Sequence, residues 1–84
     1  MIYRIDVDPA AQDQIRALPD RAVPVLADAL AAVAAHPWDS PPIADGNPSG
    51  AVRTLPFGGV GLLTYLVLED QRRVDVLDVL WAGD

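Results

Sequence analysis

The sequence predicts an α+β domain: an N-terminal strand, an antiparallel hairpin of two helices, and a three-stranded antiparallel meander, with both helices packed on one face of the sheet. Three observations carry this. "IYRIDV" alternates apolar and polar residues with period two. Residues 9–36 carry apolar residues at helical spacing, and after residue 50 the chain turns to apolar, β-branched runs separated by short turn signals.

Each element has a local reason. Tyr3, Ile5 and Val7 share one face of the first strand and Arg4 and Asp6 the other. Asp8 then supplies a side-chain acceptor at an N-cap, and Pro9 stands where a missing N–H costs nothing. In the helix that follows, Ala11, Ile15 and Leu18 face inward, while Gln12, Asp13 and Arg16 face water. Pro19 and Asp20 end it. A second helix starts near Arg21, because Pro24 is tolerable only in a first turn. Val23, Leu26, Leu30 and Val33 are its expected apolar seam, with Ala27 and Ala34 beside it, and His36-Pro37 its end. So short a connection makes the two helices an antiparallel hairpin.

Residues 37–50, "PWDSPPIADGNPSG", read as a loop. "AVRTL", "VGLLTYLVLED" and "RRVDVLDVLWA" are the meander strands, joined through "PFGG" and "EDQR". "LLTYLVL" is apolar at nearly every position, so both of its faces call for burial. A helical hairpin covers only one. A partner, or a second copy of the chain, is therefore expected on the other face, meeting Leu63, Tyr65, Val67 and Trp81.

Composition bounds the function. Eighty-four residues make a single domain spanning 1–84. With no cysteine, neither a disulfide framework nor a thiolate metal site is available, and a reducing cytoplasm is the expected home. One histidine excludes zinc sites built from several histidines of one chain. No signal-peptide pattern opens the sequence and no apolar stretch approaches a membrane span, so no membrane association is expected. The formal charge of −6 argues against general affinity for nucleic acid, which normally rests on a positive field.

Few residues look chemical. "PFGGVG" precedes no helix that could hold a phosphate and reads as a turn. Asp6 and Asp8 read as a strand residue and a cap before they read as metal ligands, and neither a metal nor a cofactor is expected. Asp75 and Asp78 fall on opposite faces unless a bulge intervenes, and read as charges that protect a surface or an edge. His36 suits a helix C-terminus, and Ser40 and Ser49 give nucleophilic catalysis little support. Arg53 stands apart: a long cation inside a strand needs a paired carboxylate or an anionic ligand, and Arg4, Arg72 and Arg73 could approach it.

The series "YRIDVDP", "A...I..LP", "L..V..HP", "G.PSG.VR.L", "TYLV" and "RVDVLDV" resembles, over nearly the whole chain, the RelE/ParE superfamily of toxins from type II toxin–antitoxin systems. The resemblance implies two N-terminal helices on an antiparallel, twisted sheet, and a cognate antitoxin wrapped around the chain. For the RelE branch it implies ribosome-dependent cleavage of mRNA, with the ribosome and mRNA as partners. Arg53 then matches the basic residue of the family's "R.L" strand and is the candidate catalytic residue, with Arg4, Arg72 and Arg73 as RNA- or anion-binding candidates. Other family positions depart: Gly61 stands near the next arginine, no lysine is present, and Ala82, Gly83 and Asp84 stand where a basic–Tyr pair is usual. Two alternatives follow from those departures. One is a ParE-like inhibitor of DNA gyrase, and the other an interaction module that homodimerises through its open sheet face.

Overall fold

A computed structural model describes residues 2–42 and 50–83. Strand β1 (Arg4–Val7) leads into helices α1 (Pro9–Arg16) and α2 (Ala22–Ala35). Strands β2 (Val52–Phe57), β3 (Gly61–Leu68) and β4 (Arg73–Trp81) follow. The expected order of elements is present. Ser49, with the rest of residues 43–49 of the long loop, lies outside the described residues.

The four strands form one sheet in the order β1-β4-β3-β2. The meander is antiparallel, but β1 joins β4 in parallel, pairing Arg4 with Arg73 and Asp6 with Asp75. The sheet is therefore mixed, which corrects the all-antiparallel expectation. The helical hairpin explains the difference: it returns the chain to the far side of β4 as a crossover connection, the type that joins parallel strands.

Local signals place the elements. The Asp8 carboxylate accepts from the Ala10 N–H at 3.2 Å, with Pro9 at the first helical position. Ala11 is buried, Ile15 and Leu18 pack against the core, and Gln12, Asp13 and Arg16 are exposed. The inward face of α2 is turned from the expected seam. Ala22, Leu26, Ala29 and Val33 are buried and Leu30 packs beside them, whereas Val23 is exposed. The β2–β3 turn needs left-handed backbone at Gly58 and Gly59 (φ +62° and +81°). A Cβ on Gly58 would also lie 2.9 Å from the Trp81 ring.

Both helices lie against the same face of the sheet. That face carries Tyr3, Ile5 and Val7 from β1 and its approach, Leu55 and Phe57 from β2, Leu63, Tyr65 and Val67 from β3, and Val74, Val76 and Val79 from β4. No described helix is long and apolar enough to cross a membrane.

Candidate functional site

The alternation of β3 settles which side chains are available to a partner. Leu63 and Tyr65 are 0% exposed and Val67 3%, so all three belong to the core beneath the helices. This corrects their assignment as partner-facing residues. Their neighbours Leu62, Thr64, Leu66 and Leu68 are half-buried and point the other way. In register with them stand Val52, Thr54 and Pro56 of β2, and Leu80, Asp78, Asp75 and Arg73 of β4. The apolar residues of the second face are displaced by one position from those expected.

Trp81 is corrected as well. It pairs with Gly61, a buried position of β3, and its ring centroid lies 5.6 Å from that of Phe57 on the helix side. Its indole Nε1 is shielded from solvent and finds no acceptor among the described residues. Leu80, the preceding residue, is the exposed one at this end of β4.

The arginines do not converge. Arg53 pairs with Tyr65 and is 6% exposed, so it lies on the helix side of β2, under the start of the long loop. Its Nε donates to the Gly50 carbonyl at 3.0 Å, and its Nη1 to the Trp38 and Ser40 carbonyls at 3.1 and 2.7 Å. Its guanidinium carbon sits 4.7 Å from the Trp38 ring centroid, a cation–π distance. One cation thus joins the two ends of the 37–50 segment. The Tyr65 hydroxyl assists by donating to the Pro37 carbonyl at 2.6 Å. Burial raises the pKa of that hydroxyl above the usual phenol value, and the Ser40 hydrogen bond and the Arg53 charge offset the rise only in part.

Arg72 lies in a second group on the same side. Its guanidinium covers the Tyr3 ring at 5.3 Å, donates to the Tyr3 hydroxyl at 3.2 Å and pairs with Glu69 at 3.4 Å. Glu69 Oε1 accepts from Tyr3 at 2.5 Å and from the Trp38 indole at 2.7 Å. Those two hydrogen bonds hold the Glu69 carboxyl below its usual pKa, with Arg72 helping. Trp38 therefore links the two groups, with Arg53 on its ring and Glu69 on its indole nitrogen.

Arg4 and Arg73 stand abreast on the opposite, open face. Arg73 Nε pairs with Asp75 at 2.9 Å and with Asp6 at 3.4 Å, and Arg4 reaches Asp6 at 3.6 Å. A sheet thus separates Arg4 and Arg73 from Arg53 and Arg72, and the expected single cluster of cations is absent. Asp6 is occupied by ion pairs and Asp8 by its cap, which accounts for both without a metal.

Sequence reading passed over Gln14. A bulge in β4 lets Val76 pair with Tyr65 and Asp78 with Thr64, leaving Leu77 as the extra residue. Asp75 and Asp78 consequently stand opposite Leu66 and Thr64, two residues of one face of β3. Past the bulge β4 outruns the short β1, and Gln14 of α1 fills the gap. Its Oε1 accepts from the Val79 N–H at 2.7 Å and its Nε2 donates to Asp78 Oδ1 at 2.7 Å. A primary amide there imitates the next strand.

No protein-family model matches the chain and no curated protein matches it in sequence. Solved structures do match in fold. A chain of the RelBE2 toxin–antitoxin complex from Mycobacterium tuberculosis superposes with a TM-score of 0.83 at 17% identity, covering 100% of this chain and 95% of that one. A double-arginine mutant of E. coli toxin RelE in the free state gives 0.80 at 24% identity, covering 99% and 86%. A chain of the intact E. coli RelBE complex gives 0.74 at 21% identity, covering 98% and 99%. The chain has the fold of the RelE toxins from end to end.

Proposed function

We propose that this protein is the toxin-like component of a toxin–antitoxin pair and works by binding a cognate antitoxin through its open sheet face. The observation that carries this reading is the leucine-rich face of β3 and β4, uncovered in a fold whose solved relatives include toxin–antitoxin complexes. Leu62, Leu66, Leu68 and Leu80 give an amphipathic segment a surface to cover.

For toxicity itself, the reading inherited from the RelE branch is inhibition of translation by mRNA cleavage on the ribosome. The geometry of Arg53 weakens that reading. A guanidinium bonded to three carbonyls and stacked on an indole among the described residues is committed to holding a loop, and RNA would have to displace these contacts to reach it. We infer that Arg53 positions the loop and that any action on translation proceeds without it as a phosphate-contacting group.

The test is to induce the chain alone in a bacterial host, then together with the small protein encoded beside it, following growth and pulse-labelled protein synthesis. Growth arrest relieved by co-expression, with a complex recoverable from the cells, is the expected result. Normal growth with abundant folded protein and no complex with the neighbouring gene product would remove the toxin reading. Immediate loss of protein synthesis that Arg53→Ala abolishes, in a variant that folds normally, would restore Arg53 to a catalytic role.

A further inference from the structure

The open face carries a pattern that a binding surface for an unrelated segment does not require. Two rows run straight across the sheet. One is Arg4, Arg73 and Leu68; the next is Asp6, Asp75, Leu66 and Val52. Each row places like charges on neighbouring strands, an arrangement that repels. Arg73 and Asp75 relieve part of this between themselves, paired at 2.9 Å with 25% and 26% of their side-chain surface accessible. Arg4 and Asp6 stand 3.6 Å apart and are 67% and 49% accessible, so their contact relieves it weakly.

We propose that, in the absence of antitoxin, the occupant of this face is a second copy of the chain, packed face to face about a two-fold axis that runs across the strands between the two rows. Such an axis sends each row onto the other. Arg4 and Arg73 of one copy meet Asp6 and Asp75 of its partner, Leu68 meets Leu66, and Gly50 gives room to Val52. The surface is self-complementary, as an isologous interface must be. Two sheets packed in this way lie about 10 Å apart, a distance that paired side chains from both copies can span. The carboxylates Asp13, Asp20, Asp28 and Asp39, exposed on the helices and their connections, stay on the outer sides of the pair. Because the antitoxin would use the same face, dimer and toxin–antitoxin complex exclude each other.

Size-exclusion chromatography with light scattering on the purified chain at micromolar concentration tests this. A mass twice the 9.0 kDa of one chain is expected. Arg4→Asp/Arg73→Asp and Asp6→Arg/Asp75→Arg are each expected to be folded monomers by circular dichroism and scattering, and to give a one-to-one dimer when mixed. Should either double variant fail to fold, Leu66→Asp replaces it and is expected to be monomeric. A monomeric wild-type chain overturns the proposal, including one that pairs only with its antitoxin. A dimer that survives both charge reversals, or Leu66→Asp, overturns it equally, since the contact then lies elsewhere.

Discussion

The guanidinium of Arg53 lies 4.7 Å from the ring centroid of Trp38 while one of its nitrogens donates to the Trp38 carbonyl at 3.1 Å. Both ends of one residue are thus held by a single side chain of β2, the strand that follows the loop. Arg53 also grips Ser40 and Gly50, so it closes the base of the segment between α2 and β2. A lysine could not do this, having neither the planar fork nor the stacking surface.

Arg53→Ala is therefore expected to act first on stability. Three buried or half-buried carbonyls lose a charged donor, a change of about 2–4 kcal/mol in a denaturant titration. Arg53→Lys should recover less than half of that. A full-strength fold for Arg53→Ala, unchanged within about 0.5 kcal/mol, would show that the loop is held by other means.

Glu69 gives the loop a pH dependence whose sign is fixed. Hydrogen bonds from Tyr3 and Trp38 lower its pKa in the folded chain from the ordinary value of 4.5. Its contribution is therefore present above that value and is lost as pH falls through the lowered folded value. Other carboxylates titrate in the same range, so the informative quantity is the difference from Glu69→Gln. In thermal melts the wild type should exceed Glu69→Gln at pH 7, and the gap should narrow below pH 4.5. A gap that stays constant with pH would mean that the charge on Glu69 is not what Tyr3 and Trp38 recognise.

Residues on opposite faces of β3 should respond in opposite ways. Leu63→Ala empties a fully buried position and is expected to cost about 2–5 kcal/mol. Leu66→Asp lies on the open face opposite Asp75 and is expected to cost about 1–2 kcal/mol, less than Leu63→Ala, while abolishing association with whatever covers that face. Isothermal titration with the proposed antitoxin, the small protein encoded beside the chain, separates the two effects. Comparable instability in both variants would mean that the open face is not open.

That contrast also shows where sequence reasoning stops. Alternation fixes the phase of a strand only if one face is polar, and "LLTYLVL" offers a single polar break. Thr64 is that break, and taken as the outward residue it would have set Leu62, Leu66 and Leu68 outward and Leu63, Tyr65 and Val67 inward. Tyr65 misleads because its hydroxyl suggests water, yet it is spent on the Pro37 carbonyl. Where chemistry is local the sequence is legible: Asp8-Pro9 announces α1, and the arginine–aspartate alternation of β1 survives intact on the open face. Arg53 was legible as a residue in need of a partner. Its hydrogen-bond partners among the described residues include three backbone carbonyls, and no side-chain pattern in the sequence encodes those. The parallel pairing of β1 was similarly hidden, since it depends on where the helical hairpin sets the chain down.

Gln14 completes the sheet from outside it, and its two hydrogen bonds have separable roles. The acceptor takes the Val79 N–H of an otherwise open edge, and the donor neutralises part of the demand of Asp78. Gln14→Ala removes both and is expected to destabilise the chain by about 1–2 kcal/mol, the cost of an unmet backbone donor. Gln14→Glu keeps an acceptor for Val79 but sets the introduced carboxylate against that of Asp78. Two carboxylates so placed disfavour each other's ionisation and raise at least one pKa. The penalty is thus full at neutral pH and relieved as pH falls through the raised value. Melts at pH 7 should rank wild type above Gln14→Glu, with the two converging towards pH 4. If Gln14→Glu matches the wild type at pH 7, Asp78 is not held by Gln14, and the edge of β4 is closed by α1 packing alone.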